Sequence, residues 1–341
     1  SIKKAYNKRL SELNKRIILS NEILLKIAQI DEMKGKWIGS LALNPKILGQ
    51  LKRSVIITST GSSTRIEGAT ITDQEVERFL RGINQLTPKN RDEQEVAGYA
   101  DLLGRIFDNY NSLKITEGMI LQLHSIMLAF SKKDELHRGK YKTKDNKVAI
   151  LEKGKVKTIL FNPTEPWLVK KEMDDVLEWF KERQEKKDVH SLVVIANVIF
   201  EFLAIHPFQD GNGRLSRALT NLMMLQNGYA YVPYVSLEEI IEERLSEYYL
   251  QLRKTQKNHK TEKENIEPWL IFFLDCIFIQ TKKSLDLLDG NNTESLLSQI
   301  QRDIYDLFIK NNELSVSKIK NKIDMPLPTI KNRWHDYWNI N

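Results

Sequence analysis

The chain has 341 residues, 41% of them hydrophobic, so it can bury the core of one large domain and a smaller one. Lysine and arginine number 52 against 45 acidic residues. This net charge of +7 permits contact with nucleic acid, but the composition is not that of a polycationic protein. A single cysteine excludes a disulfide framework.

The first region, residues 1–54, is predicted to be helical, because LSELNKRIILSNEILLKIAQID places apolar residues at helical spacing. This region is charged and lacks the apolar core of a signal peptide. Cys276 lies in WLIFFLDCIFI, a run too short and too interrupted to span a bilayer, and is predicted to be an inert core thiol. We therefore expect a cytoplasmic protein with no membrane partner.

Helical spacing continues through residues 55–285 and predicts a mainly α fold. The exception is residues 139–160, where β-branched residues alternate with lysines around a glycine, a pattern typical of a short exposed hairpin. The run SLVVIANVIFEFLAI that follows is hydrophobic nearly all round, so we expect it at the centre of the core.

A polar stretch near residues 285–294 predicts a linker to a small module at residues 294–341. This module reads as a longer helix followed by two short helices joined by a turn, and it resembles part of a winged helix-turn-helix. Its last predicted helix carries Lys331, Asn332 and Arg333, which favour a DNA partner. A small helical bundle for protein contacts explains the same pattern equally well.

The stretch HPFQDGNGRLSR, residues 206–217, combines an anion cradle with ionisable side chains. Its glycines precede a predicted helix, whose unpaired N–H groups can bind phosphate. Arg214 and Arg217 oppose the dipole of that helix, so phosphate binding explains them better than helix stability does. Asp210 can hold Mg²⁺ that bridges phosphate oxygens, and His206 can accept a proton near neutral pH.

Together these groups suit the attack of a hydroxyl on a nucleotide phosphate. The signatures of P-loop and Rossmann nucleotide sites are absent from the sequence. An ordinary helix cap, with solvated arginines and a core histidine, would explain each residue separately but not all of them together.

This stretch resembles the signature of the Fic family, H-P-F-x-[DE]-G-N-G-R-x-x-R. The residues that match are His206, Pro207, Phe208, Asp210, Gly211, Asn212, Gly213, Arg214 and Arg217. The resemblance extends over residues 55–280 and implies a Fic-type helical bundle with the hairpin as its flap. It also implies a protein adenylyltransferase, which transfers AMP from ATP to a Ser, Thr or Tyr hydroxyl of a target protein, or of itself, and releases pyrophosphate.

The resemblance further assigns the roles. His206 would be the catalytic base, and Asp210 would hold the cofactor Mg²⁺. The ATP-binding residues would be Phe208, Gly211, Asn212 and Gly213 around the α-phosphate, Arg214 at the β-phosphate, Arg217 at the γ-phosphate, and Tyr249 and Gln256 near the adenine. Of the adjacent residues Tyr248 and Tyr249, we expect one to lie in the core.

A second motif lies in TSTGSSTRIEGAT, residues 58–70, where Ser63, Glu67 and Gly68 match the family's inhibitory pattern [ST]-x-x-x-E-[GN]. An ordinary short helix that ends in glycine would give the same residues. In the inhibitory interpretation, Glu67 pairs with Arg217 and occupies the arginine that the γ-phosphate needs. The resemblance is thus to the self-inhibited class with an N-terminal inhibitory helix.

In the flap, Lys142, Lys147 and Val148 are candidates for aligning an extended target segment by strand addition, with an ordinary solvated hairpin as the alternative.

Three other functions stay open: removal of AMP with Glu67 positioning water, transfer of phosphate or phosphocholine, and a nucleotide-sensing DNA-binding regulator. A second copy of the chain, forming a homodimer, is a further candidate partner.

Overall fold

The computed structural model of the chain describes residues 2–39, 45–82, 87–146, 148–152 and 155–288. The chain divides into two compact units, Ser1–Leu288 and Asp289–Asn341, and all of these residues lie in the first. The helix-turn-helix prediction for residues 294–341 lies outside the described residues.

The described helices are α1 (Ile2–Lys15), α2 (Asn21–Gly39), α3 (Pro45–Ile66), α4 (Asp73–Gly82), α5 (Arg91–Asn109), α6 (Glu117–Met127), α7 (Pro166–Lys186), α8 (Ser191–Ile205), α9 (Asn212–Gln226), α10 (Leu237–Glu243), α11 (Leu245–Gln256) and α12 (Glu267–Asp286). The strands are β1 (Val148–Glu152) and β2 (Lys155–Phe161), and a 3-10 turn covers Val232–Tyr234. The described part of the chain is therefore mainly helical.

Helix α8 forms the centre of this unit. Every residue from Leu192 to Ile205 is buried, as expected for a helix that is apolar on all sides. Helix α9 packs beside it after the short loop 206–211, and α7 and α12 also contact α8. Because α8 and α9 are both embedded in the core, the two ends of the loop between them are fixed.

Strands β1 and β2 pair antiparallel, with Val148 opposite Phe161 and Glu152 opposite Lys155. Two irregularities interrupt the register, between Val148 and Ala149 and between Ile150 and Leu151. Lys147 and the side chain of Val148 lie outside the described residues. Their role in aligning a target therefore stays a prediction.

The N-terminal helices share the core of the unit rather than forming a separate layer. The boundary expected between residues 54 and 55 falls inside α3, which runs without a break from Pro45 to Ile66. Arg16, directly after α1, is fully buried, with Nη1 at 2.5 Å from Glu201 and Nε at 2.7 Å from Asn197 Oδ1, both in α8.

Cys276 of α12 is buried, and burial raises the pKa of its thiol to about 12, so this cysteine is inert as expected. Within the described ranges, none of the helices combines the length and the apolar character that crossing a bilayer requires.

Candidate active site

The loop between α8 and α9 contains two residues in the left-handed backbone conformation. His206, which caps the end of α8, has φ 52° and ψ 60°. Outside glycine this conformation costs about 1–2 kcal/mol, and such strain is common at functional sites. Gly211, at the start of α9, has φ 83°, and a Cβ atom there would lie 2.6 Å from Met127 Cε. Only glycine meets both requirements at position 211.

Asn212 holds the loop closed from within. Its Oδ1 accepts the Phe208 N–H at 2.9 Å, and its Nδ2 donates to the Phe208 carbonyl at 2.8 Å. Because both ends of this buried amide are engaged, the side chain closes the loop, and the ATP-binding role of Asn212 stays a prediction. The backbone at the start of α9 is free for that role, since the first intrahelical donor is the Leu215 N–H, bonded to the Gly211 carbonyl at 2.9 Å.

Phe208 supports the loop from below. Its ring is fully buried and stacks on His124 at a centroid distance of 3.7 Å and an interplanar angle of 11°. A ring enclosed in this way packs under the loop, and the ATP-binding role of Phe208 stays a prediction.

His124 of α6 is a site residue that sequence reasoning missed, because a lone histidine far from the motif carries no spacing signal. Its Nδ1 accepts the Gly139 N–H at 2.9 Å, so Nε2 carries the proton and donates to the Asp210 carbonyl at 2.9 Å. Burial lowers the pKa of His124 to about 4. A neutral, oriented imidazole therefore fixes the loop at Asp210.

The ring of His206 is neutral at pH 7. Burial, and then the positive charge of Lys142, lower its pKa to about 4, while Glu67 and Asp210 act in the opposite direction. The Leu203 backbone also acts to raise this pKa, and a neutral imidazole keeps one unprotonated nitrogen as a proton acceptor. His206 thus has the protonation state that a general base requires.

Lys142 lies beneath the loop. Its ammonium group donates to Asn146 Oδ1 at 2.6 Å and lies 3.4 Å from the Ile205 carbonyl. The backbone N–H of Lys142 donates to the Pro207 carbonyl at 2.9 Å. Burial lowers the pKa of Lys142 to about 8. Lys142 is buried before β1 begins, unlike a lysine of a solvated hairpin, and its role in aligning a target stays a prediction.

Arg214 is placed to receive an anion. Its side chain is only 1% exposed, with Nη1 at 3.4 Å from Glu95 and Nη2 at 3.4 Å from Asp210. Among the described residues, no group hydrogen-bonds to its Nε or Nη1. Because unpaired buried donors are costly, this guanidinium indicates an anion site at the start of α9.

Asp210 fits the requirements of a Mg²⁺ ligand. Its Oδ1 accepts the Gly211 N–H at 2.6 Å, and Arg91 Nη2 lies 3.4 Å from its half-exposed Oδ2 side. Mg²⁺ commonly takes one or two protein carboxylates and completes its shell with phosphate oxygens and water. A single accessible carboxylate beside a phosphate cradle is consistent with that arrangement.

A separate acidic group contains Glu201, His259 and Glu264, whose ligand atoms lie within 4.8 Å of one another. Arg9 and Arg16 each bind both of these carboxylates, at 2.5 to 2.9 Å. The two guanidinium groups supply the charge that a metal ion would otherwise supply. This group is therefore an ion-pair network that joins the N-terminal segment to α8.

Glu67 contacts Arg217, the pair that the inhibitory pattern predicts. Arg217 Nη2 lies 2.8 Å from Glu67 Oε1 and 2.9 Å from the Ser63 carbonyl, and Arg217 Nε donates to Ser63 Oγ at 2.9 Å. Gly68, with φ 97°, ends the helix directly after Glu67. The structure thus brings Ser63, Glu67 and Gly68 of α3 and its cap to the second arginine of α9.

The two adjacent tyrosines of α11 differ as expected. Tyr248 is buried, and burial raises its pKa, whereas Tyr249 is 37% exposed and donates its hydroxyl to the Ile66 carbonyl at 3.1 Å. Gln256, the last residue of α11, is half-buried, and no hydrogen bond found among the described residues links its side chain to the motif. Of the two adenine candidates, Tyr249 is therefore the one hydrogen-bonded to α3.

Comparison with known proteins agrees with this site. Residues 114–224 match the sequence profile of the Fic/DOC family. A probable protein adenylyltransferase of Aquifex aeolicus is 37% identical over 82 residues, which are 24% of this chain and 24% of that protein. Protein adenylyltransferase Fic of Drosophila grimshawi is 26% identical over 242 residues, which are 70% of this chain and 44% of that protein. The matches thus span less than half the length of these relatives.

Solved structures share the fold. A Fic family protein from Desulfovibrio desulfuricans superposes with a TM-score of 0.66 at 24% identity, over 93% of this chain and 89% of that one. Fic-1 from C. elegans superposes with a TM-score of 0.61 at 18% identity, over 78% of this chain and 74% of that one. The complete motif at residues 206–217 lies within the segment, residues 114–224, that matches the Fic/DOC family profile.

Proposed function

We propose that this protein is an ATP-dependent protein adenylyltransferase that transfers AMP to a Ser, Thr or Tyr hydroxyl of a target protein and of itself, and that Glu67 inhibits it. The observation that carries this proposal is Arg214, a buried guanidinium beside the first N–H groups of α9 whose Nε and Nη1 have no hydrogen-bond partner among the described residues. A polyphosphate is the ligand whose charge and oxygens satisfy both sets of donors.

The neutral ring of His206 supplies the base. The target hydroxyl attacks the α-phosphorus of ATP, His206 takes the hydroxyl proton on its free ring nitrogen, and the bond to pyrophosphate breaks as the new O–P bond forms. Arg214 and the α9 N–H groups stabilise the negative charge of the phosphates. Mg²⁺ held by Asp210 would neutralise further charge on the phosphate oxygens.

Inhibition follows from the position of Glu67. Arg217 is the second cation of the site, and Glu67 and Ser63 already occupy its Nη2 and Nε. A γ-phosphate that binds Arg217 at Nη2 must displace the Glu67 carboxylate. ATP that binds while Glu67 is in place would therefore lack one phosphate contact and lie in an unproductive position.

The second candidate is removal of AMP from a modified protein. Glu67 lies close enough to His206 to raise its pKa, and a carboxylate in that position could orient a water molecule for attack on the same phosphorus. A cytoplasmic location, a homodimer and a DNA-binding role of residues 294–341 remain predictions.

Labelled ATP distinguishes these reactions. The Glu67→Gly variant incubated with Mg²⁺ and a cell lysate should attach label to protein from α-labelled ATP and none from γ-labelled ATP. Label from the γ-position instead would indicate phosphate transfer. Release of AMP from a modified protein by wild type, without any incorporation by the variant, would favour the removal reaction.

A further inference from the structure

The position of the Glu67 carboxylate depends on the last turn of α3. Glu67 caps the end of this helix directly after Ile66, since the Gly68 N–H bonds to the Arg65 carbonyl at 2.9 Å and the Ala69 N–H to the Thr64 carbonyl at 3.1 Å, as in a Schellman motif. Helix ends tend to fray. The inhibitory carboxylate is therefore carried by the part of α3 that its own hydrogen bonds constrain least.

Arg65 ties this last turn to two other helices. Its Nε and Nη2 bind the two carboxylate oxygens of Glu242 in α10 at 2.6 and 2.9 Å. Its Nη1 donates to Asp73 Oδ1 at the start of α4, at 2.8 Å, and to the Ile71 carbonyl at 3.0 Å. All three side chains of this group are about three-quarters buried, so solvent screens these ion pairs only in part.

Arg65 and Glu67 point in different directions from α3. Residues two apart are separated by about 200° around an α-helix, so Arg65 faces α10 and α4 while Glu67 faces α9. Arg65 has its full set of contacts on that side and makes none with the motif among the described residues. Its effect on Glu67 must therefore pass through the helix backbone.

Gly61 provides an independent observation about the same contact. It lies in the interior of α3, where alanine would favour the helix. A Cβ atom at this position would lie 2.7 Å from Arg65 Nη1 and overlap Asp73 Oδ1. The ion pair between Arg65 and Asp73 thus passes directly over the glycine, and a larger residue would displace it.

We propose that Arg65 is a positioning residue for inhibition: by joining the last turn of α3 to Glu242 and Asp73, it holds Glu67 against Arg217. This inference rests on the proposed function of Glu67. It predicts that loss of the Arg65 contacts raises AMP transfer, the opposite of what a general loss of structure would do.

The test measures AMP transfer from α-labelled ATP by wild type, Arg65→Ala, Gly61→Ala, Glu67→Gly and the double variant Arg65→Ala/Glu67→Gly. Arg65→Ala should raise the rate about tenfold, because it removes the charge-assisted hydrogen bonds from Arg65 to Glu242 and Asp73. Gly61→Ala should raise it in the same direction, and Arg65→Ala should add no further increase to Glu67→Gly. Arg105→Ala is the matched control, because Arg105 lies on the surface and pairs with Asp101 of its own helix, and it should behave as wild type.

Amide hydrogen exchange at Glu67, Gly68 and Ala69 gives a second readout that does not need activity. Arg65→Ala should speed exchange there, and Arg105→Ala should not. If Glu67→Gly is activated and Arg65→Ala is not, the positioning role is overturned. If Glu67→Gly is not activated either, the inhibitory function of Glu67 fails, and unchanged exchange in Arg65→Ala would then overturn the positioning role as well.

Discussion

The carboxylate of Glu67 lies against the backbone of Gly213, the second residue of α9, so closely that a Cβ atom on Gly213 would overlap Glu67 Oε1 and lie 3.0 Å from its Cδ. The same carboxylate oxygen is 2.8 Å from Arg217 Nη2. Glu67 therefore occupies the start of the helix where phosphate would bind, and the two should exclude each other.

The rate of AMP transfer should depend only weakly on pH around neutrality. With a pKa of about 4, His206 is already deprotonated between about pH 6 and 8, so the Glu67→Gly variant should show no titration of the base in that range. Lys142→Met removes a positive charge that lowers this pKa, and it should move the acid limb of the profile to higher pH. A limb centred near the ordinary pKa of histidine in the parent variant would contradict the geometry of this site.

Stability should fall in mildly acidic solution because of His124. Its folded-state pKa of about 4 lies below the ordinary value of 6.5, so the unfolded chain binds more protons between these limits. The free energy of unfolding should therefore decrease as pH falls through this window, by up to about 1.4 kcal/mol per pH unit for this residue. His206, with its pKa shifted in the same direction, should add to this slope.

Urea unfolding of wild type and His124→Gln at several pH values between about 4 and 7 measures this effect. The variant should retain the share of the slope that His206 contributes and lose the share of His124. Equal slopes in the two proteins would show that His124 is not held neutral by the fold.

Replacing Arg16 by alanine should destabilise the unit strongly. The change leaves Glu201 buried without its 2.5 Å partner, and breaking a buried pair in this way costs about 3–5 kcal/mol. Lys36→Ala, which removes an exposed pair with Glu32 in the same helix, should leave stability almost unchanged because solvent screens that pair. Thermal or denaturant unfolding measures both, and similar losses in the two variants would refute the structural role of the Arg16 network.

The motif at residues 206–217 could be located from sequence because its chemistry is local. Pro207 ends one helix, glycines precede the next, and Arg214 and Arg217 lie one turn apart, so the cradle follows from spacing alone. The Glu67 contact could also be expected, although the sequence pattern alone did not fix its distance.

Other parts of the site depend on packing between distant segments. Whether Asn212 binds a ligand or closes its own loop depends on the fold of the loop, and the same holds for the buried ring of Phe208. His124 reaches Asp210 only because α6 packs against the loop, a contact that no periodicity reveals. The N-terminal boundary expected between residues 54 and 55 likewise depends on packing, since the ion pairs of Arg16 with α8 cross it.

The central claim is that Glu67 restrains an AMP transfer for which His206 is the base. The most direct measurement incubates wild type, Glu67→Gly and Glu67→Gly/His206→Ala with α-labelled ATP and Mg²⁺, and follows label on the protein itself and on lysate proteins. The account predicts strong labelling by the single variant, weak labelling by wild type and none by the double variant. Equal labelling by wild type and Glu67→Gly, or labelling that survives the loss of His206, would contradict it.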